Sequence, residues 1–184
     1  MRIVSGKHKG RPLAAPKGHD TRPTSDRARE AIFNVLEHGI PGPGLRDSRV
    51  IDVFAGTGAL GLEALSRGAA HCTFVENSAG ARRSLDENIQ ALDEVQACTV
   101  LKIKAQAMGE TAKPCDYAFL DAPYNQDLST PALQALADGG WLKDEGVVVV
   151  EVAKTEALPL PDGFILHKEK DYGAARAVFL IYSA

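Results

Sequence analysis

Three glycines, Gly56, Gly58 and Gly61, followed by an acid at Glu76, are the first residues whose types and spacing could do chemistry. They stand where the apolar run Val50-Ile51-Asp52-Val53-Phe54 gives way to Ala55-Gly56-Thr57-Gly58-Ala59-Leu60-Gly61. A backbone that must turn tightly or touch a ligand favours glycine, because a Cβ would collide. The GxGxxG spacing, with an acid about twenty residues later, is the dinucleotide fingerprint. In it the carboxylate accepts hydrogen bonds from the ribose hydroxyls. A dinucleotide and an adenosyl cofactor both fit these residues. A second set is Asp121-Ala122-Pro123-Tyr124, delivered by the apolar run Tyr117-Ala118-Phe119-Leu120. A turn with one Asp and one Pro is common, so only its position in the fold gives this tetrapeptide meaning.

The elements that must position these residues read as follows. Arg2–Ser5 and Arg11–Ala15 are predicted to pair as a short hairpin. A helix starts at Thr24-Ser25-Asp26, where a hydroxyl can cap it, and Ala28, Ile32, Val35 and Leu36 share one face. Gly39–Gly44, with two prolines, ends it as a linker. Strands are predicted at 50–54, 71–76, 99–103, 117–120 and 147–152, and helices at 58–67, 79–92 and 131–138. Strands alternating with helices imply a parallel sheet covered on both faces. Phe164–Lys170 and Ala177–Tyr182 are separated only by Asp171-Tyr172-Gly173 and its short flank, so they must pair antiparallel. The fold class is therefore α/β, a Rossmann-like doubly wound sheet ending in an antiparallel hairpin. Residues 1–44 form a basic hairpin-and-helix extension and 45–184 the catalytic domain. In such sheets ligands sit beyond the carboxyl ends of the strands.

Asp52 separates the cofactor alternatives. A carboxylate inside the first strand would repel a pyrophosphate, whereas it can help, directly or through water, to hold the cationic amino end of a methionine moiety. Here the sequence resembles the class I S-adenosylmethionine-dependent methyltransferases, whose first motif carries this acid and these glycines and whose sheet ends in such a hairpin. The resemblance makes Asp52, Phe54, Ala55, Gly56, Thr57, Gly58, Glu76 and Asn77 cofactor contacts. Asp121-Ala122-Pro123-Tyr124 is similar to the (Asp/Asn/Ser)-Pro-Pro-(Tyr/Phe) motif of methyltransferases acting on amines attached to planar conjugated rings. Such an amine gives its lone pair to the ring and is a poor nucleophile. A carboxylate and a main-chain carbonyl that each accept one N–H turn the lone pair outward and stabilise the charge that develops on nitrogen. The Tyr124 ring offers a stacking surface for a base, worth roughly 1–3 kcal/mol. Ala122 replaces the first proline; its carbonyl is retained, but one fixed φ is lost. After the third strand, where many relatives place Asp-Ala against the adenine amine, this chain has Lys104-Ala105-Gln106-Ala107, and the Gln106 amide is the candidate acceptor.

A narrower resemblance covers nearly the whole chain. Arg2-Ile3-Val4-Ser5-Gly6-Lys7-His8-Lys9-Gly10, Arg22-Pro23-Thr24-Ser25-Asp26-Arg27-Ala28-Arg29-Glu30-Ala31-Ile32-Phe33-Asn34, the glycine loop through Leu65, and Asp171-Tyr172-Gly173 resemble the RsmD family of bacterial small-subunit ribosomal RNA guanine-N2 methyltransferases. The resemblance implies that Arg2, Lys7, Lys9 and Arg11 grip RNA phosphates, and that Arg22 and Thr24 close over the methionine end of S-adenosylmethionine. Guanine hides its N2 in a helix, so the target must be looped out or flipped. The expected partner is ribosomal RNA or the small subunit, with the enzyme acting as a monomer.

The 184-residue chain has a net charge of −3, which alone argues against a nucleic-acid partner, but the charge is unevenly placed. Residues 1–30 hold eight Lys/Arg against three Asp/Glu, leaving 13 against 21 in the remainder. A basic arm on an acidic body is what a phosphate-facing surface requires. Three widely spaced cysteines, Cys72, Cys98 and Cys115, suggest neither a disulfide framework nor a metal site. No secretory signal or spanning run appears, so a cytoplasmic location is expected. His8 and His19 are candidate RNA contacts, and His38, His71 and His167 read as surface residues. The competing readings are an adenine-N6 DNA methyltransferase, for which no target-recognition insertion is long enough, and a protein-glutamine methyltransferase, which would favour Asn at position 121. A nicotinamide-dependent oxidoreductase is disfavoured by Asp52 and the terminal hairpin, and a non-catalytic RNA-binding module would leave Asp121 dispensable.

Overall fold

A computed structural model describes residues 1–16 and 25–184. After α1 (Asp26–His38), the chain runs β1 (Arg49–Val53), α2 (Ala59–Ser66), β2 (His71–Val75), α3 (Ala79–Ala91), β3 (Cys98–Leu101), β4 (Cys115–Asp121), α4 (Ser129–Asp138), β5 (Leu142–Ala153), β6 (Phe164–Tyr172) and β7 (Ala175–Tyr182). One seven-stranded sheet has the order β3-β2-β1-β4-β5-β7-β6. The first five strands are parallel, β7 lies antiparallel between β5 and β6, and the strand order reverses between β1 and β4. The sequence-based fold class holds.

Side chains two apart along a strand share a face. Val50, Phe74, Tyr117, Phe119, Val147 and Val149 pack with α1, α2 and α3 on one side. Ile51, Val53, Ala118, Leu120, Val148 and Val150 pack with α4, Met108 and Trp141 on the other. Ile3, Leu13, Ile32 and Phe33 belong to the first of these clusters, so the described part of the arm and α1 share an apolar core with the body.

The expected N-terminal hairpin forms in a short, loose version: Arg2 bridges Pro12, and the Ile3, Gly10 and Leu13 N–H groups donate to the Arg11, Ile3 and Met1 carbonyls at 2.9, 2.8 and 3.1 Å. Other backbone groups of the arm bind the body. Val4 and Ser5 donate their N–H groups to the two carboxylate oxygens of Glu63 at 2.8 and 3.0 Å, and the Lys7 N–H goes to the Ser66 carbonyl. Glu63 is fully buried in α2 and also pairs with Arg67 Nε at 2.8 Å and Arg29 Nε at 3.6 Å. Arg29 is itself fully buried and reaches Asp26 and the Arg2 carbonyl, which locks α1 to the arm. On the other flank the Asn88 amide binds both backbone groups of Ala14 and the Thr57 carbonyl, joining the arm to the glycine loop.

The first helix begins as its residues dictate, with Ser25 capping the Ala28 N–H. β5 begins five residues earlier than its apolar run suggests, because a register shift lets Leu142 pair with Cys115 beyond Glu145, whose φ is +62°. β6 is an edge strand whose exposed charges, Lys168, Glu169, Lys170 and Asp171, discourage pairing with another chain.

A carboxylate-lined site at the switch point

Strand alternation and the sheet order bring four acids to the carboxyl ends of adjacent strands. Asp52 in β1, Glu76 after β2, Asp121 ending β4 and Glu151 in β5 all follow the face packed against α1–α3. This is the point where the strand order reverses, the usual ligand crevice of a doubly wound sheet.

The glycine loop is built for close approach. Phe54 enters it with φ +63°, a left-handed backbone that a bulky residue adopts at a cost of roughly 1–3 kcal/mol and that concentrates at functional sites. At Gly58 φ is +81°, and an added Cβ would fall 2.4 Å from the Leu85 side chain. At Gly61 it would fall 2.4 Å from the Phe74 ring, so this glycine lets α2 lie directly on β2. Glu76 is 9% exposed and braces the loop, accepting the Gly56 N–H at 2.9 Å on one oxygen and the Ser78 N–H at 2.7 Å on the other. A carboxylate has about four acceptor positions, so both ribose hydroxyls can still be received. Asn77 is exposed beside it, its carbonyl held by Arg82 at 2.5 Å.

Asp52 lies beneath the loop. It is 1% exposed and accepts the Gly61 N–H at 2.8 Å, fixing the first turn of α2. Burial, foremost, pushes its carboxyl well above the ordinary range; the Gly61 N–H opposes this, and the charges of Asp121 and Glu76 add to it. With almost none of its surface open, Asp52 supports the loop from beneath. The same influence of Asp121 and Glu76 shows that these two acids share one field with Asp52.

The tetrapeptide closes the site. Asp121 is half-buried, Ala122 is buried with 4% exposure, and Pro123 is exposed. Tyr124 is half-buried and donates its hydroxyl to Glu151 Oε1 at 2.5 Å. Asn125 and Asp127 then take left-handed φ values of +55° and +52°, which short polar side chains tolerate, and turn the chain away. Glu151 was not singled out by sequence. It is 6% exposed and lies in direct register with Asp121. The available signal was a lone carboxylate interrupting the apolar run Val147–Val152 near the carboxyl edge.

Gln106 stands exposed on a single turn after β3, anchored by buried Ala105. Arg22, Thr24 and His19 lie outside the described residues. Of the arm cations, Lys7 pairs with Glu94 at 2.6 Å, Arg11 donates to the Ala91 carbonyl at 2.5 Å, and Arg2 pairs with Asp26 at 3.3 Å. These are exposed cations whose pairings are individually weak, and Lys9 is exposed beside them. His8 binds Glu94 at 2.6 Å, which ties it to the body. His71 is half-buried rather than a plain surface residue, its pKa lowered by burial and then by Arg49 and Lys113.

The three cysteines are free. Burial raises all their thiols, Cys98 to about 12 and Cys115 to about 11, so none is a ready nucleophile. Among the described residues no cluster of three potential metal ligands occurs, and no helix is long and apolar enough to cross a membrane. Cavities of about 220 and 280 Å³ lie around Arg49, His71 and Trp141 and around Thr130 and Glu156. Neither is lined by Glu76, Asp121 or the glycine loop, so neither is the site described above.

Comparison with known proteins agrees with this arrangement. The family model described as "Conserved hypothetical protein 95" matches residues 1–181. Ribosomal RNA small subunit methyltransferase D of Escherichia coli K12 is 37% identical over 174 residues, covering 94% of this chain and 85% of that protein. Its Haemophilus influenzae namesake is 33% identical over 177 residues, covering 94% and 89%. The solved structure of the Escherichia coli protein yhhF superposes with a TM-score of 0.86 at 35% identity, covering 100% of this chain and 98% of that one. A hypothetical protein of Thermus thermophilus gives 0.76 at 29%, covering 100% and 99%.

Proposed function

Because the chain belongs to the ribosomal RNA small subunit methyltransferase D family, we propose that it transfers a methyl group from S-adenosylmethionine to the exocyclic N2 of a guanine in small-subunit ribosomal RNA. The observation that carries the finer part of this reading is the carboxylate-lined switch point, with Asp121 and the Ala122 carbonyl at the end of β4 beside an adenosyl-type loop.

The residues present fit that cofactor. At Gly56, where the nearest atom to an added Cβ is 3.9 Å away, the loop leaves backbone open to an adenosine, and Glu76 beside it offers the acceptor a ribose diol needs. The negative field of Asp121 and Glu76 suits a ligand that carries a sulfonium and an ammonium. S-adenosylmethionine supplies an electrophilic methyl on that sulfonium.

The chain's own residues do the rest. Asp121 and the Ala122 carbonyl each accept one hydrogen of the N2 amine, which draws the nitrogen lone pair out of conjugation and points it at the methyl. Positive charge that would grow on N2 during transfer would be stabilised by these two acceptors. The methylated amine is acidic enough to lose its proton afterwards, so no strong base is required. Tyr124, anchored through its hydroxyl, presents a ring on which the flipped base stacks. The exposed arm cations contribute phosphate attraction, with Arg22 and Thr24 closing over the methionine end.

The experiment supplies labelled cofactor and small ribosomal subunits lacking base methylation, then maps the product by mass spectrometry. A single N2-methylguanosine is expected. Label in N6-methyladenosine or in protein would overturn the reading.

A further inference from the structure

A second polar cluster lies away from the glycine loop and has the opposite sign. Arg49 opens β1 and His71 opens β2, and the two are paired in register at the amino ends of their strands. Side chains two apart share a face, so Thr73 stands beyond His71 on the same side, with Thr99 of β3 in register beside it. Thr111 and Lys113, from the segment between β3 and β4, complete the cavity of about 220 Å³, and Trp141 forms part of its wall. Glu76 and Asp121 stand at the other, carboxyl edge of the sheet.

The positive charge of this cavity is left uncompensated. Among the described residues neither the Arg49 guanidinium nor the Lys113 ammonium has an ion pair. The Arg49 Nε is buried with no hydrogen-bond acceptor. Asp116, in the adjacent strand, does not line the cavity: its Oδ1 takes Lys143 Nζ at 2.6 Å and its Oδ2 the Arg49 main-chain N–H at 2.8 Å. His71 registers the resulting field. Burial, then the charges of Arg49 and Lys113, hold its imidazole below the ordinary range, and both of those charges are positive. The Thr111 oxygen accepts the Lys113 main-chain N–H at 3.2 Å, which leaves its hydroxyl hydrogen to donate elsewhere, and Thr99 Oγ1 lies 3.1 Å from His71 Nε2. A guanidinium, an ammonium and hydroxyl donors around one hollow make a receptor for an anion with several oxygens.

We propose that this cavity binds a phosphate group, with Arg49 and Lys113 supplying the charge and Thr99 and Thr111 supplying hydroxyl donors. Phosphate is favoured over a carboxylate because it carries more oxygens and, near neutral pH, more negative charge. The group belongs either to the backbone of a bound RNA, held away from the reacting base, or to a free phosphate compound. The recognising chemistry is the same for both. The site is independent of which base is methylated, because it lies at the opposite edge of the sheet from Asp121.

The chain has one tryptophan, so the fluorescence of Trp141 reports on the cavity directly. Inorganic phosphate titrated into the full chain, with chloride holding the ionic strength constant, should change that fluorescence saturably. The His71 proton resonances should titrate about one pH unit higher with phosphate bound, since an anion favours the imidazolium. Arg49→Gln should weaken phosphate binding about tenfold or more, and Lys113→Glu, at an exposed position, about fivefold, with S-adenosylmethionine affinity unchanged. A fragment of small-subunit ribosomal RNA then separates the two sources. Reversal of the phosphate signal by RNA, with Lys113→Glu lowering RNA affinity and its log–log salt slope by about one or more, assigns a backbone phosphate. RNA affinity untouched by Lys113→Glu, with phosphate still bound by the native chain, assigns a free phosphate compound. A native chain whose Trp141 and His71 respond to phosphate no more than to chloride would overturn the proposal, even if Arg49→Gln fails to fold. So would phosphate affinity left unchanged by Lys113→Glu.

Discussion

Removing the Glu76 carboxylate should cost the protein twice, and the two costs can be measured apart. In the free protein the carboxylate receives the Gly56 N–H at 2.9 Å and the Ser78 N–H at 2.7 Å. Gly56 is half-buried and Ser78 exposed, so water can replace part of what Glu76→Ala removes. A net loss of about 0.5–1.5 kcal/mol per bond follows, or about 1–3 kcal/mol in all. For a chain of this size each kcal/mol moves Tm by about 2–4 °C, so a drop of about 2–12 °C is expected. The second cost falls on the cofactor. Hydrogen bonds to a charged group are worth about 1.5–3 kcal/mol, which corresponds to roughly 10- to 150-fold weaker binding of S-adenosylmethionine. Calorimetric titration measures the affinity, and differential scanning measures Tm on the same sample. A variant that loses the expected stability but binds the cofactor within about twofold of native would refute the ribose assignment, and Glu76 would be a loop brace alone.

Other perturbations separate structure from chemistry. Glu63→Ala removes the acid that binds the Arg67 side chain at 2.8 Å and frees two arm N–H groups; breaking a buried pair costs about 3–5 kcal/mol, so Tm should fall by about 6–20 °C and hydrogen exchange at Val4 and Ser5 should accelerate. Unchanged protection there would show that the arm is held by something else. Asp52, with its carboxyl held well above the ordinary range, binds its proton more tightly folded than unfolded. Its ionised form therefore opposes folding at high pH, and that penalty fades as pH falls through the raised value toward the unfolded value of 3.8. Asp52→Asn keeps an acceptor for the Gly61 N–H, so it should match or exceed native stability near neutral pH, with the difference narrowing on acidification; a marked loss at neutral pH would contradict the role under the loop. Lys9→Ala should weaken RNA binding and reduce the log–log salt slope by about one, and an unaltered slope would move the phosphate contact elsewhere.

The sheet and the tetrapeptide were legible because both rest on local rules. Strand–helix alternation sets the topology, and Gly58 and Gly61 are required by backbone geometry within a few residues of where they stand. What escaped notice depended on partners distant in sequence. Glu63 and Arg29 sit among helix residues that read as ordinary charged positions, and their buried partners come from the arm, residues 4 and 5 for Glu63 and the Arg2 carbonyl for Arg29. The hairpin is shorter than expected because the Val4 and Ser5 N–H groups found acceptors in α2, leaving the pairing to residues 1–3 with 10–13. Asp52 was legible as an acid inside the first strand, but its bond to the Gly61 N–H nine residues on depends on how α2 lies over β1. Glu151 was visible only as an interruption in an apolar run, and its place next to Asp121 appeared once β5 lay beside β4.

The most direct test of the central claim is single-turnover methyl transfer by Asp121→Ala with cofactor affinity measured on the same protein. Loss of a preorganised partner for developing charge typically costs about 10²–10³ in rate, so a fall of that size with S-adenosylmethionine binding within about threefold of native is expected. Transfer at a near-native rate would contradict the assignment of the amine to Asp121 and the Ala122 carbonyl.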